Sequence, residues 1–233
     1  MQSKKNEYNY ILVLALSSLF SVSLSLIRAA ISGTNWFLFL VWNLFLAWIP
    51  LICSTALFFL AGQKKPAKFL QGLFLFGWFI FFPNCPYIIT DLFHLRIEQS
   101  VPLWFDAALI FSFVWNGLVL GFVSLLDIQF ILEKKLKKAY SWSVICLVLV
   151  LASFGIYLGR YLRWNSWDII QHPILLFRDI FDRLLDPLSY PTTYLVTITF
   201  SLFLITSYIV FRCIALSGAL RYRGNNQKPK KIM

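Results

Sequence analysis

Two segments of the sequence carry side chains that could bind or transform a ligand. The first, FFPNCPYIITDLFHL at residues 81–95, places polar and ionisable groups directly after a run of phenylalanines. Spaced three and four residues apart, these groups are Asn84, Tyr87, Asp91, His94 and Glu98. Residues at this spacing share one face of a helix, so the segment predicts a single polar stripe. Asp91 and His94 are the candidate catalytic pair, with the imidazole as a proton donor or acceptor.

The second segment is GRYLRWNSWDIIQHP at residues 159–173. If its helix continues, Arg160, Arg163 and Trp167 share one face, beside a face that carries Trp164 and Asp168. Two arginines at this spacing form a fork for a phosphate or a carboxylate. The candidate ligand-binding residues of both segments are Asn84, Tyr87, Arg160, Arg163, Asn165, Trp167 and Asp168. A pair of arginines on the outer side suggests an acidic partner such as Asp91, Asp106 or Asp168.

The sequence contains little that indicates a metal or cofactor site. Asp91 with His94, and Asp168 with His172, have side chains that can share a metal ion, but they form no recognised metal-ligand string. The cysteines, at positions 53, 85, 146 and 213, show no paired spacing typical of zinc sites or disulfide frameworks. The sequence therefore predicts no metal site and names no cofactor.

The composition indicates the environment in which these side chains must be positioned. Of the 233 residues, 59% are hydrophobic and only 13% are charged, with a mean hydropathy of +0.73. Soluble domains contain about 25% charged residues. The chain is therefore predicted to be an integral membrane protein whose main partner is the lipid bilayer.

Six apolar runs are long enough to cross a membrane, at about 20 residues per crossing. They lie at residues 10–27, 36–61, 69–95, 104–127, 141–162 and 192–216, followed by a basic tail at 217–233. We therefore expect an all-α polytopic protein with residues 1–233 in a single helical membrane domain.

The third span should be broken near Pro83 and Pro86. The helix from residue 69 to residue 82 extends only about 21 Å, so the break falls within the membrane. Neither proline has a backbone N–H, and Pro83 disfavours helix at the residue before it. We expect Asn84 to cap a second half-helix with Pro86 near its first position, leaving amides that face an anion or a polar side chain.

The basic residues predict the orientation of the chain. Lysines and arginines at the chain ends and in two alternate loops account for 15 of the 21 basic residues. By the positive-inside rule both termini are cytoplasmic, and residues 96–102 and 165–190 are outside. The net charge of +11 is then a signal of topology, and nucleic acid is not an expected partner. The first apolar run is expected to be an uncleaved signal-anchor, since Arg28 lies where a small-residue cleavage site should be.

An amphipathic helix is predicted between spans five and six. In PILLFRDIFDRLLDP, residues 173–187, apolar residues share one face, and the other face carries the pairs Arg178 with Asp182 and Asp179 with Arg183. We expect this helix to lie on the outer leaflet and to cover the site. Elsewhere, Asn43 and Asn116 should turn toward neighbouring helices, and Gly117 and Gly121 should allow a close approach.

Four strings carry a resemblance to a known family: WNLFLAWIP, FFPNCPYIITDLFHL, WNGLVLGFVSL and YLGRYLRWNSWD. With them the chain resembles the bacterial multi-pass membrane family catalogued as domain of unknown function 1361, over roughly residues 40–186. The resemblance implies a helical protein of the bacterial plasma membrane and carries over no activity or cofactor.

The sequence leaves three classes of function open. The first is a membrane enzyme or binding protein with an outward-facing polar site for an anionic or lipid-linked ligand. The second is a non-catalytic membrane subunit or assembly factor, and the third is a small transporter, for which a broken helix is a known device. Neither an enzymatic reaction nor an oligomeric state is indicated.

Overall fold

The structure is a computed structural model that describes residues 2–63, 67–95 and 101–226, with side chains described between residues 10 and 217 of these ranges. Glu98, the loop at 96–100 and the last part of the predicted tail, 227–233, lie outside the described residues. The described residues form helices and no strand. The prediction of an all-α protein is confirmed.

Nine α-helices and one 3₁₀ helix make up the described part of the chain. In order they are α1 Gln2–Ser32, α2 Phe39–Ala61, α3 Lys68–Phe81, α4 Asn84–Tyr87, the 3₁₀ helix Ile88–His94, α5 Leu103–Glu133, α6 Lys138–Tyr161, α7 Asp168–Gln171, α8 Pro173–Leu185 and α9 Pro191–Asn226.

Six candidate membrane spans lie within the described residues, as predicted. They are Tyr10–Ser32, Phe39–Ala61, Lys68–His94, Leu103–Glu133, Lys138–Tyr161 and Pro191–Ser217. Because consecutive spans alternate in direction, their ends form two sets. We call the set that contains His94, Leu103 and Tyr161 the site end, and the set that contains Glu133 and Lys138 the lysine end.

The helix α5 is the centre of the bundle. Its span is 61% buried, against 17% for the span of α9 at the periphery. Residues of α5 contribute to both apolar clusters, one shared with α6 and α9 and the other with α1 and α2. The remaining apolar surface faces outward, as expected where lipid replaces water as the solvent.

The predicted break in the third span is confirmed. The helix α3 ends at Phe81, and a turn through Pro83 leads into the single turn of α4. The expected capping geometry is wrong, because Asn84 donates from its amide nitrogen to the Phe81 carbonyl and Pro86 is the third residue of α4. The backbone amide of Tyr87 donates to the Pro83 carbonyl, so it is not free to bind an anion.

Glycines on α5 allow α4 to pack directly against this helix. A Cβ atom at Gly117 would lie 2.6 Å from the carbonyl oxygen of Cys85, and one at Gly121 would lie 2.8 Å from the Cys85 Cβ atom. Atoms do not approach so closely without displacement, so both positions need a residue without a side chain. The close approach expected from these glycines is present.

Glycines on α6 receive the other side of the break in the same way. A Cβ atom at Gly155 would lie 3.0 Å from Pro83, and one at Gly159 would lie 3.0 Å from the ring of Tyr87. The broken segment is therefore held between two pairs of glycines, each pair spaced four residues apart.

The predicted amphipathic helix is α8. Its apolar residues Ile174 and Leu185 are 81% and 79% exposed, whereas Leu176 is buried against the bundle. Both predicted pairs are present, with 3.9 Å between Arg178 and Asp182 and 3.4 Å between Arg183 and Asp179. Such an exposed apolar face fits a helix that lies on a membrane surface.

Candidate functional site

Asp91 is the most deeply buried acidic or basic residue described in the first segment. Its side chain is 1% exposed and accepts a hydrogen bond of 2.9 Å from the amide nitrogen of Asn43 on α2. Its other oxygen, Oδ1, lies 3.6 Å from Nη2 of Arg160 and 3.9 Å from Nδ1 of His94. Among the described residues, no donor forms a hydrogen bond with Oδ1. The carboxylate thus has one fixed oxygen and one oxygen that can accept a further proton or donor.

Arg160 joins the last turn of α6 to the 3₁₀ helix. Its guanidinium donates to the backbone carbonyl of Thr90 and lies 3.2 Å from Nδ1 of His94. It also lies over the rings of Tyr87, at 5.8 Å, and Phe93, at 5.4 Å. Four of the predicted residues, Tyr87, Asp91, His94 and Arg160, therefore form one cluster, which we call the Asp91 cluster.

The α6 helix does not continue through the second segment, so the condition for a shared face of Arg160 and Arg163 is not met. The helix ends at Tyr161, and the carbonyl of Leu158 accepts from the amides of Leu162 and Trp164. Between them Arg163 has a left-handed backbone with φ of 62°, which is uncommon for a residue other than glycine. The chain therefore turns before Arg163 can lie on the face of Arg160.

Arg163 does not join the Asp91 cluster. Its side chain is exposed, and it forms no ion pair with any acid in the described ranges. The predicted fork of two arginines is absent for this reason. Asp106, expected as a partner for the arginines, instead lies 3.2 Å from Arg28 of α1, in a pair that is almost fully buried.

The loop after α6 is held by Asp168. Its carboxylate accepts from the backbone amide of Asn165, at 2.6 Å, and from the Asn165 side chain, at 3.3 Å. The carboxylate of Asp168 is thus used in hydrogen bonds to its own loop. His172, four residues later in the chain, is exposed. The structure does not bring these two residues to Asp91 and His94, and the described residues contain no group of three metal-ligating side chains.

The loop and the break are joined by Asn84. Its amide nitrogen donates to the hydroxyl of Ser166, at 2.9 Å, and this hydroxyl lies 3.3 Å from the carbonyl of Ile80. Two carbonyls at the end of α3 thus accept side-chain donors: Ile80 accepts from Ser166 of the second segment, and Phe81 accepts from Asn84 of the break itself. The two segments found in the sequence form one structure.

A cavity of about 330 Å³ lies between the break, α2, α6, the loop and α8. Of the predicted ligand-binding residues, Asn84, Tyr87, Asn165 and Trp167 line it, and the Asp91 cluster adjoins it through Tyr87. Most of the remaining lining is apolar or aromatic: Trp42, Leu46, Phe79, Ile80, Phe82, Val148, Leu151, Ala152, Phe154, Leu158, Trp164, Ile169, Leu176 and Ile180. The arrangement can hold an apolar group next to hydrogen-bonding side chains.

Three contributors were missed or misread in the sequence. Asn43, interpreted as packing, both lines the cavity and fixes Asp91. Ser166 was not predicted as a site residue, although it directly follows the candidate Asn165 in the sequence. Trp164 donates to Asp179 at 2.8 Å and so ties the cavity wall to α8; no short sequence pattern indicates a bond of this kind.

Asp127 was also missed. The sequence places it at the end of the fourth span, but α5 continues for six more residues, to Glu133. Its carboxylate therefore lies beside α2, where it accepts a hydrogen bond of 2.9 Å from Ser54. The absence of proline and glycine from residues 128–133 was the available signal.

Comparison with known proteins identifies a family and nothing closer. No curated protein and no solved structure matches the chain. The family described as "Protein of unknown function (DUF1361)" matches residues 42–207, a range that contains the break, the Asp91 cluster and the loop after α6. The chain belongs to the DUF1361 family of membrane proteins.

Proposed function

We propose that this protein binds an amphipathic, lipid-linked ligand in the cavity between the broken third span and α6. The ligand's chain would occupy the apolar part of the cavity, and its headgroup would face the Asp91 cluster. In the orientation predicted from the lysines, this site opens on the outer leaflet of the plasma membrane.

The observation that carries this proposal is that residues lining the cavity are also exposed on the surface of the bundle. Three of its lining residues are also strongly exposed: Trp42 at 53%, Phe79 at 47% and Leu151 at 41%. In a membrane span an exposed apolar side chain faces lipid. A ligand dissolved in the bilayer can therefore enter between α2, α3 and α6 without crossing water.

The depth of the cavity supports a ligand with a chain. Its lining on α6 runs from Gly159 to Val148, which at the rise of an α-helix is about 16 Å. The deep residues Val148, Leu151 and Ala152 are apolar, whereas Asn165 and Ser166 lie in the loop at the site end. The polarity of the cavity thus changes along its length, as the polarity of a lipid does.

The Asp91 cluster supports a headgroup that carries both an anionic oxygen and a hydroxyl. Arg160 supplies a cation, and Oδ1 of Asp91 supplies an acceptor without a hydrogen bond from the described residues. His94 lies within 4 Å of both and has the chemistry to transfer a proton. The same cluster would serve a binding protein or an enzyme.

Native mass spectrometry of the purified full-length protein tests the proposal. We expect the wild type to retain a discrete amphiphile and Trp167→Ala to lose most of it, because Trp167 lines the cavity. The matched control is Trp115→Ala, which removes a 58% exposed tryptophan away from the cavity and should retain the amphiphile. If wild type and both variants carry only the same mixture of bulk lipids, the proposal fails, and a non-catalytic membrane subunit becomes the better account.

A further inference from the structure

Three buried polar atoms near the lysine end have no hydrogen-bond partner among the described residues. They are Nε2 of Gln129, Oγ of Ser141 and Nη1 of Arg212, in residues that are 0%, 0% and 6% exposed. Buried polar atoms are normally paired with protein, ordered water or an ion. Their position, between α5, α6 and α9, is at the opposite end of the bundle from the Asp91 cluster.

The contacts of the same side chains leave these atoms available as donors. The hydroxyl of Tyr208 occupies Oε1 of Gln129 at 2.7 Å, so the amide keeps its nitrogen free. The other terminal nitrogen of Arg212, Nη2, donates to both carboxylate oxygens of Glu133, at 3.0 and 3.2 Å. The groups left without a partner among the described residues are the amide N–H of Gln129, the hydroxyl of Ser141 and a guanidinium N–H of Arg212.

Trp142 links Arg212 and the Tyr208–Gln129 pair at one level of the bundle. Its ring is 5.3 Å from the guanidinium carbon of Arg212 and 6.1 Å from the ring of Tyr208, the partner of Gln129. Ser141 is its neighbour in the chain and faces the interior of the bundle. The three residues that carry these donors therefore belong to the junction of α5, α6 and α9.

The surroundings of this junction are basic. Four exposed lysines connect α5 to α6: Lys134, Lys135, Lys137 and Lys138. Glu133 neutralises much of the charge of Arg212, so the lysines provide the net positive charge. A group that only accepts hydrogen bonds and carries negative charge matches both the donors and the lysines.

We propose that this junction binds the phosphate group of an anionic phospholipid, whose oxygens accept hydrogen bonds from Gln129, Ser141 and Arg212. The lipid approaches from the leaflet on the side of the lysines. This site is independent of the ligand proposed for the cavity.

Thermal unfolding of the full-length protein in detergent, with added lipid, measures the binding. Phosphatidylglycerol should raise the unfolding temperature, and phosphatidylcholine at the same concentration should not. Inorganic phosphate is the third probe, and it separates a free anion from a lipid headgroup. A shift with inorganic phosphate alone would overturn the assignment to a lipid.

Ser141→Ala and Arg212→Lys test the donors. Each should weaken the effect of phosphatidylglycerol about ten-fold in concentration, because each removes a hydrogen bond to a charged group. Ser141→Ala removes a hydroxyl that has no described partner, so the variant should fold as the wild type does. Ser143→Ala is the matched control, since this exposed hydroxyl on the same helix bonds only to the Ala139 carbonyl.

The result that overturns the proposal is an unchanged effect of phosphatidylglycerol in both Ser141→Ala and Arg212→Lys. The proposal is also overturned if the effect is lost only when the four lysines are replaced by glutamine. Electrostatic attraction of the lipid to the lysines would then be enough to explain the binding. A wild type that does not respond to phosphatidylglycerol also contradicts it.

Discussion

At the scale of single residues, the proposed site depends on one buried carboxylate. An ionisable side chain inside a membrane protein is costly unless it is paired, and such residues usually mark a functional site. Asp91 has both features, since Asn43 and Arg160 contact it and Oδ1 still lacks a hydrogen bond among the described residues. The contacts with Asn43 and Arg160 offset the cost of burying the charge. The oxygen Oδ1 can still accept a hydrogen bond from a ligand.

The two arginines of the second segment provide a matched pair of variants. Arg160→Gln should lower the free energy of unfolding by about 2 kcal/mol, because it leaves the buried Asp91 without its cation and Thr90 without a donor. Arg163→Gln should change it by less than about 0.5 kcal/mol, since this exposed side chain forms no ion pair with a described acid. Thermal unfolding in detergent compares the two, and equal losses would contradict the geometry of the Asp91 cluster.

The candidate residues were predictable individually but their grouping was not. Tyr87, Asp91 and His94 were found from residue types and spacing, and Arg160 from its sign at the outer end of a span. The separation of Arg163 from Arg160 depends on a left-handed residue, and a positive φ at an arginine has no sequence signature. Asp106 could not be assigned to Arg28 because the two are 78 residues apart.

At the scale of elements, the broken third span is the feature that positions the site. The prolines predict where regular helix stops, since their missing N–H groups and rings act locally. They do not predict all that satisfies the exposed carbonyls, because Asn84 is local but Ser166 is 86 residues away from the Ile80 carbonyl to which it donates. Gly117 and Gly121 on α5 and Gly155 and Gly159 on α6 leave room for the broken segment, because they carry no side chain.

Two glycines test the packing of this segment. Gly117→Ala should lower the free energy of unfolding by about 1–3 kcal/mol, because the added methyl group would overlap the Cys85 carbonyl. Gly72→Ala on α3 is the control: nothing lies within 4 Å of the new atom, so the higher helix propensity of alanine should stabilise by about 0.5–1 kcal/mol. A neutral Gly117→Ala in denaturant or thermal unfolding would show that α4 does not pack as described.

At the scale of the whole molecule, the sequence was sufficient for the number of spans and the helical class. Length and hydropathy determine both, because a bilayer requires about 20 apolar residues for each helical crossing. The central place of α5 was not predicted, since it depends on packing between helices and lipid-facing residues are equally apolar.

The orientation of the bundle is a prediction at this scale. A membrane-impermeant maleimide applied to intact cells should label Ser189→Cys, in the exposed turn after α8, and should reach Lys135→Cys only after permeabilisation. A background in which the native cysteines are replaced by serine removes unwanted labelling. Labelling of Lys135→Cys alone in intact cells would invert the orientation and move the cavity to the other leaflet.

Photo-crosslinking from inside the cavity shows whether a single ligand occupies it. A photo-reactive amino acid is placed at Trp167, which lines the cavity, or at exposed Trp115 on α5, and the crosslinked lipids are identified by mass after illumination in membranes. We predict one discrete amphiphile at position 167 and the mixture of bulk lipids at position 115. Bulk lipids at both positions, or no crosslink at 167 with a folded protein, would contradict a ligand in this cavity.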